Sequence, residues 1–306
     1  MRRPRSGRRF SVSRLKQIGL AYCFLVPALA IMGLFIFFPV IQAFRLSLYD
    51  YVPLMPKKYI GLENFYRLFR EPLFWTSLIN SIKYLMVVPI IIVLSLGLAM
   101  LAEPQVRGVN FFRACYYVPV VTSMVVVGIT WKIIFHEDYG LFNHILIKLG
   151  IIDRGIPWLN SIGLALYTVM SVTIWKGLGY YMVIFIAGLR SIPPELIEAA
   201  MIDGAKKWQQ ALYVKIPMLW PYISLVAIIS SISALQVFDE IFVMTMGKPL
   251  NSSSTLVFYL YRAGIDQEGG QNMGYASAMG VVLFALLLIF TIISIRLMQR
   301  REYGVS

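Results

Sequence analysis

Charge is scarce in this 306-residue chain: Asp, Glu, Lys and Arg together make up 14% of it. A water-soluble fold of that length could not hide the apolar surface that remains, so solubility is excluded at the outset. Cysteine is nearly absent. Cys23 and Cys115 both lie in or beside apolar runs, which argues against a disulfide framework and against a thiolate metal site. Histidine is as sparse, and His136 and His144 stand at no recognisable metal spacing, leaving catalysis little to work with. No Gly-x-x-x-x-Gly-Lys-Ser/Thr loop occurs, so the chain does not bind ATP in the usual way, and energy must come from another chain or from an ion gradient. There is no low-complexity linker and no convincing internal repeat, which leaves one membrane domain.

What is present is apolar. Hydrophobic residues make up 58% of the chain, mean hydropathy is +0.71, and several runs exceed the roughly 20 residues needed to cross a bilayer. The fold class this predicts is an all-α polytopic membrane protein. Six transmembrane helices can be read, at about 18–44, 77–102, 111–135, 162–188, 218–246 and 274–297. The start has the look of a signal peptide, with basic residues, an apolar stretch and Ala28-Leu29-Ala30. Its apolar run continues through Phe38, however, which is too long for a cleaved segment. Pro27, Pro39 and Pro89 fall inside spans, where a helical bundle tolerates kinks. Trp131, Trp158 and Trp220 fall near span ends, as interfacial anchors do.

The formal net charge of +13 invites a nucleic-acid reading, but seven Lys/Arg crowd residues 1–16, as a cytoplasmic flank does. With that flank inside, sixteen of the 28 Lys/Arg belong to inner segments and eleven to outer ones. The expected layout is a basic cytoplasmic N-terminus (1–17), a transmembrane domain (18–297) and a cytoplasmic tail (298–306). The 189–217 loop then also lies inside. Outer segments 45–76 and 136–161 are long enough to fold small caps, and Gly61-Leu62-Glu63-Asn64-Phe65 opens an amphipathic helix.

The 189–217 loop is a polar insert between apolar runs. Its sequence reads as two short helices, with Ser191 as a cap of the first and Pro193 and Pro194 in its first turn. Gly204 turns the chain in the left-handed conformation, and a second helix from about Lys206 to Val214 ends towards Pro217. The alternative is a solvated connector whose charges merely keep it soluble.

Glu198-Ala199-Ala200, Asp203-Gly204-Ala205, Trp208, Ile216-Pro217 and Pro221 resemble the signature of binding-protein-dependent ABC import permeases. The closer resemblance is to the carbohydrate-uptake branch, of the maltose permease and glycerol-3-phosphate permease type, and to the first of its two permease subunits. Phe37-Phe38-Pro39, the 61–65 segment, Phe112-Arg113 with Pro119, Trp175, Ala187-Gly188-Leu189, and Phe238-Asp239 with Thr245, Gly247 and Pro249 keep that family's order and spacing. The resemblance implies an ABC type I importer fold with a cytoplasmic helix-turn-helix coupling loop, in the bacterial or archaeal cytoplasmic membrane. It further implies a heterodimer with a second homologous permease, an ABC ATPase dimer carrying ATP and Mg, and an extracytoplasmic solute-binding protein. The chain itself would bind no cofactor, metal or nucleic acid.

Site residues follow from the same resemblance. Glu198, Ala199, Ala200, Asp203 and Gly204 would couple to the ATPase. Tyr180, Gly177 and Ser230 match sugar-contacting positions of the maltose relative. Ala234 and Val237 stand where that relative has asparagines, with Gln236 as a polar neighbour. Lys176 is the outlier, because an ammonium midway along a span costs about 2.5–3.5 kcal/mol on insertion scales. It either pairs with Asp239 or Glu240, or faces an aqueous cavity. A secondary carrier or channel for a small polar solute, with Lys176 and Asp239 as its ion-coupling pair, is the alternative. A membrane scaffold is a third reading.

Overall fold

The structure is a computed structural model that describes residues 12–103, 108–266 and 270–302. Most of the basic N-terminal flank (1–11), Arg107 and the last tail residues (303–306) lie outside the described residues. α1 (Val12–Met32) continues through Pro27 into a π-turn (Gly33–Phe37) and then α2 (Phe38–Leu46). Pro39 cannot donate to the carbonyl four residues back, so the preceding turn widens and the Phe38 N–H bonds Gly33 O instead. The same device recurs before Pro217, where a π-turn spans Ala211–Lys215 and the Ile216 N–H bonds Ala211 O.

Beyond α2, β1 (Tyr49–Asp50) and β2 (Lys58–Tyr59) form a short antiparallel ribbon, followed by the expected amphipathic α3 (Glu63–Arg70). Buried Asn64 on α3 donates to the carbonyls of Ser47 and Tyr49, each at 2.9 Å, which fastens α3 to the end of α2. α4 (Pro72–Tyr84) and α5 (Val87–Ala102) make the second span, divided at Leu85–Met86, where Pro89 leaves the Leu85 carbonyl without its i+4 donor.

Two further expected spans are not single helices. The 111–135 segment is α6 (Val109–Val121) and α7 (Met124–Ile134), bent by 98° at Thr122–Ser123. Thr122 is extended (ψ 137°), and its hydroxyl donates to Val118 O at 2.9 Å, meeting one carbonyl that the break frees. The 218–246 segment is α13 (Trp220–Leu235) followed by a separate α14 (Asp239–Met244). There the Val237 carbonyl is taken by the Thr255 hydroxyl at 3.0 Å. The following loop is drawn onto α4 by Asn80, whose amide donates to Ser252 O and Ser254 O. Hydropathy reports that a segment is apolar; it carries no record of where the backbone turns.

The remaining elements are α8 (Leu141–Lys148), α9 (Ala165–Arg190), α10 (Pro194–Ile202), α11 (Lys207–Gln210), α12 (Ile216–Met218), α15 (Leu256–Gly264) and α16 (Met273–Glu302). Among the described residues four helices are long and apolar enough to cross a membrane, or up to six if each bent pair is one span. The second bent pair is Lys207–Met218 with Trp220–Leu235, at 67°.

α9 is the centre of the bundle, packed on α5 and α6 and burying Val169, Val172, Met182 and Phe185 completely. In lipid such burial stabilises through close packing, since there is no water to escape. The closest approach of α9 to α6 is at Gly179, where an added Cβ would lie far inside van der Waals contact with the Tyr116 carbonyl. Gly179→Ala should therefore cost about 3 kcal/mol, because a helix backbone cannot retreat. Gly97→Ala, with nothing within 4 Å of the new methyl, should be neutral or mildly stabilising. Thermal unfolding of the two purified variants checks the contrast, and equal midpoints would refute it.

Candidate functional site

The 189–217 insert folds into two helices and a turn, with one revision. Ser191 does not cap α10: its hydroxyl donates backwards to Gly188 O at 2.7 Å, at the end of α9, and Pro193 takes the N-cap position with Pro194 opening the helix. α10 ends as expected at Gly204, with φ +81°. The Gly204 N–H bonds Met201 O and the Ala205 N–H bonds Ala200 O, the paired closure of a Schellman motif. The Lys206 N–H then bonds the Gln209 side chain at 2.8 Å to start α11, which stays α-helical only to Gln210 before the π-turn.

No residue of α10 is buried. Glu198, Ala199, Asp203 and Gly204 are exposed, Ala200 is half-buried, and Ile202, Trp208 and Met201 present 86%, 59% and 53% of their surface. Apolar side chains exposed on a polar insert form a surface fit for a protein partner. The base of the insert is fixed. Lys215 forms an ion pair with Glu103 at the end of α5, and the Arg113 guanidinium donates to the carbonyls of Ala102 and Glu103, capping that helix from α6.

The second feature is a cavity of about 300 Å³ among α4, α5, α9, α13 and α14 and the α6–α7 break. Thr173, Lys176, Gly177 and Tyr180 line it from one face of α9, in steps of three and four residues. Ser230 and Ser233 face it from α13, and Asp239 and Glu240 from the start of α14. Four of the five residues expected on the substrate path therefore converge: Lys176, Gly177, Tyr180 and Ser230. Gln236 is exposed and does not line this cavity. Gly177 packs against the Tyr181 ring and Ile91, 3.3 and 3.4 Å from an added Cβ. Tyr84, Thr173 and Ser233 were not singled out from the sequence. The hydroxyls of Tyr84 and Thr173 lie 2.6 Å apart, and only the side-chain polarity of these residues within apolar runs could have flagged them.

Lys176 meets neither expected carboxylate at ion-pair distance among the described residues. Its ammonium donates to Val120 O at 3.1 Å. That carbonyl would bond Met124 N in a continuous helix, and the bend at Thr122–Ser123 leaves it open. Asp239 and Glu240 remain across the same cavity.

A polytopic helical bundle with a polar cavity and an exposed insert defines a membrane transport subunit. Residues 91–302 match the family of binding-protein-dependent transport system inner membrane components, and the chain belongs to that family. It is a permease subunit of an ABC transporter and not an enzyme. It is 33% identical to the lactose transport system permease protein LacF of Rhizobium radiobacter, over 92% of this chain and 94% of that one. It is 32% identical to the sulfoquinovosyl glycerol transport system permease protein SmoG of Agrobacterium fabrum, over 92% and 91%. The fold matches a chain of the bacterial alginate ABC transporter crystallised with an alginate pentasaccharide-bound periplasmic protein, with TM-score 0.82, 22% identity and coverage of 95% and 97%.

Proposed function

We propose that this chain is one of two homologous permeases that together form the path for a sugar or oligosaccharide, delivered by an extracytoplasmic binding protein. An ATPase dimer holding ATP and Mg drives the cycle from the cytoplasm, one of its subunits gripping α10 and α11 through Glu198, Ala199, Ala200, Asp203 and Gly204. Both termini lie inside, as the basic flank at 1–16 favours. The carrying observation is the exposed apolar surface of the insert around Ile202 and Trp208, standing on a base tied to two transmembrane helices. Sugar as cargo is supported by the names of the relatives, which include lactose and sulfoquinovosyl glycerol systems. It is also supported by the hydroxyls and aromatic rings of the cavity.

Affinity purification of the chain from gently solubilised native membranes, followed by mass spectrometry, tests this. An ATPase and a second permease in the eluate support the proposal. Recovery of the chain alone, where other ABC complexes survive, moves it to a secondary carrier. Within the importer, Lys176→Met should cut uptake about tenfold, the size of one charge-assisted hydrogen bond. The inserted amount, measured by immunoblot, should hold steady. Unchanged uptake removes Lys176 from the path.

A further inference from the structure

α7 and α14 lie side by side, with Gly128 seated on Val243 so closely that a Cβ at 128 would meet Val243 Cγ1 at 2.7 Å. Met124, Gly128 and Lys132 recur every four residues on one face of α7, as Glu240 and Met244 do on α14. One end of this seam, Met124 and Glu240, borders the cavity already described. The other end, Lys132 and Met244, borders a second cavity of about 240 Å³. Lys132 lies eight residues beyond Met124, about 12 Å along the axis.

The second cavity has a distinct chemistry. Lys132 and Lys248 bring two ammonium groups to it and His136 an imidazole, against the single carboxylate of Glu137. Trp158 forms part of its wall and is not free to turn: its Nε1 donates to Asn143 Oδ1 at 2.8 Å. Asn143 is itself buried, and its amide is held by the carbonyls of His136, Glu137 and Ile156. Two cations beside a fixed aromatic ring suit a carbohydrate that carries negative charge. An indole can pack on sugar C–H groups, and the lysines neutralise a carboxylate or sulfonate.

We infer that this outer cavity is a second substrate subsite, which holds an anionic sugar residue before it crosses the Gly128–Val243 seam to the inner cavity. The inference rests on the importer reading and narrows its cargo to acidic saccharides. Lys176 provides the next cation inward, but it shares the inner cavity with Asp239 and Glu240, so the favourable charge balance for an acidic sugar lies on the outer side of the seam.

The test is equilibrium binding to the full chain, with the subunits that co-purify, in nanodiscs of zwitterionic lipid. The probes are digalacturonate and maltose. Digalacturonate should bind at least about tenfold more tightly at low salt. Lys132→Met with Lys248→Met should narrow the gap to about threefold, while Lys132→Arg with Lys248→Arg keeps it. Both lysines are exposed, and a Gln pair provides a second neutral variant should the Met pair fold poorly. Equal binding of the two probes overturns the inference, as does a gap that the neutral variants leave unchanged. So does a gap abolished by adding phosphatidylglycerol to the nanodiscs, which would assign the lysines to lipid headgroups. If no ATPase co-purifies yet the lysine-dependent gap persists, the importer reading fails and the subsite stands. If an ATPase co-purifies and the probes bind alike, the subsite alone fails.

Discussion

In membranes carrying Glu198→Ala, uptake falls by at least about tenfold, the effect of removing one partner of an interfacial charge pair. The level of inserted protein holds. Glu198 is exposed on α10 and forms no ion pair among the described residues, so the change removes nothing that the isolated chain uses. Alanine is also the better helix former, so α10 itself loses nothing. Any loss of transport therefore reports on a partner. Gly204→Asp reaches the same outcome by another route. It forces a side chain into φ +81°, at a cost of roughly 1–2 kcal/mol, and disturbs the turn that sets α10 against α11. ATP hydrolysis should continue in both variants while uptake stops, read as hydrolysis and accumulation in one vesicle preparation. Normal accumulation in either variant would remove the docking role given to that residue.

Asn143→Ala should be the most damaging single change outside the bundle. Asn143 is 2% exposed and makes five hydrogen bonds, donating to three carbonyls and accepting from Ile156 N and Trp158 Nε1. Alanine strands several buried groups at about 1–3 kcal/mol each, and the loss should exceed about 4 kcal/mol locally. Asn143→Asp should be worse, since a carboxylate would face three carbonyl oxygens. Protease cleavage within 137–160, measured on the outer face of intact vesicles, follows the damage. Resistance equal to wild type in both variants would show that the segment is held by something else.

Much of this arrangement is legible in the sequence, because its causes are local. The left-handed turn at Gly204, the amphipathic α3 and the apolar run of α9 each follow from residues within a few positions of one another. Gly177, Tyr180 and Ser230 are reached through family resemblance and Lys176 through its charge within an apolar run, and the cavity brings the four together. What was not legible depends on partners distant in the chain. The partner of Lys176 is a carbonyl exposed by a bend 56 residues away, and no count of side-chain charges could name it. α14 separates from α13 where Thr255, eighteen residues on, takes the Val237 carbonyl. Asn143 carries no mark in the sequence, because its five hydrogen bonds form only when the segment closes on itself.

The Lys215–Glu103 pair gives the insert a mechanical consequence. Glu103 ends α5, a helix about 24 Å long whose opposite end carries Val87 and Ile91 into the inner cavity. A push on the insert does not dissipate in a loose tether. It is delivered to a stiff rod, and the far tip of that rod is part of the cavity wall.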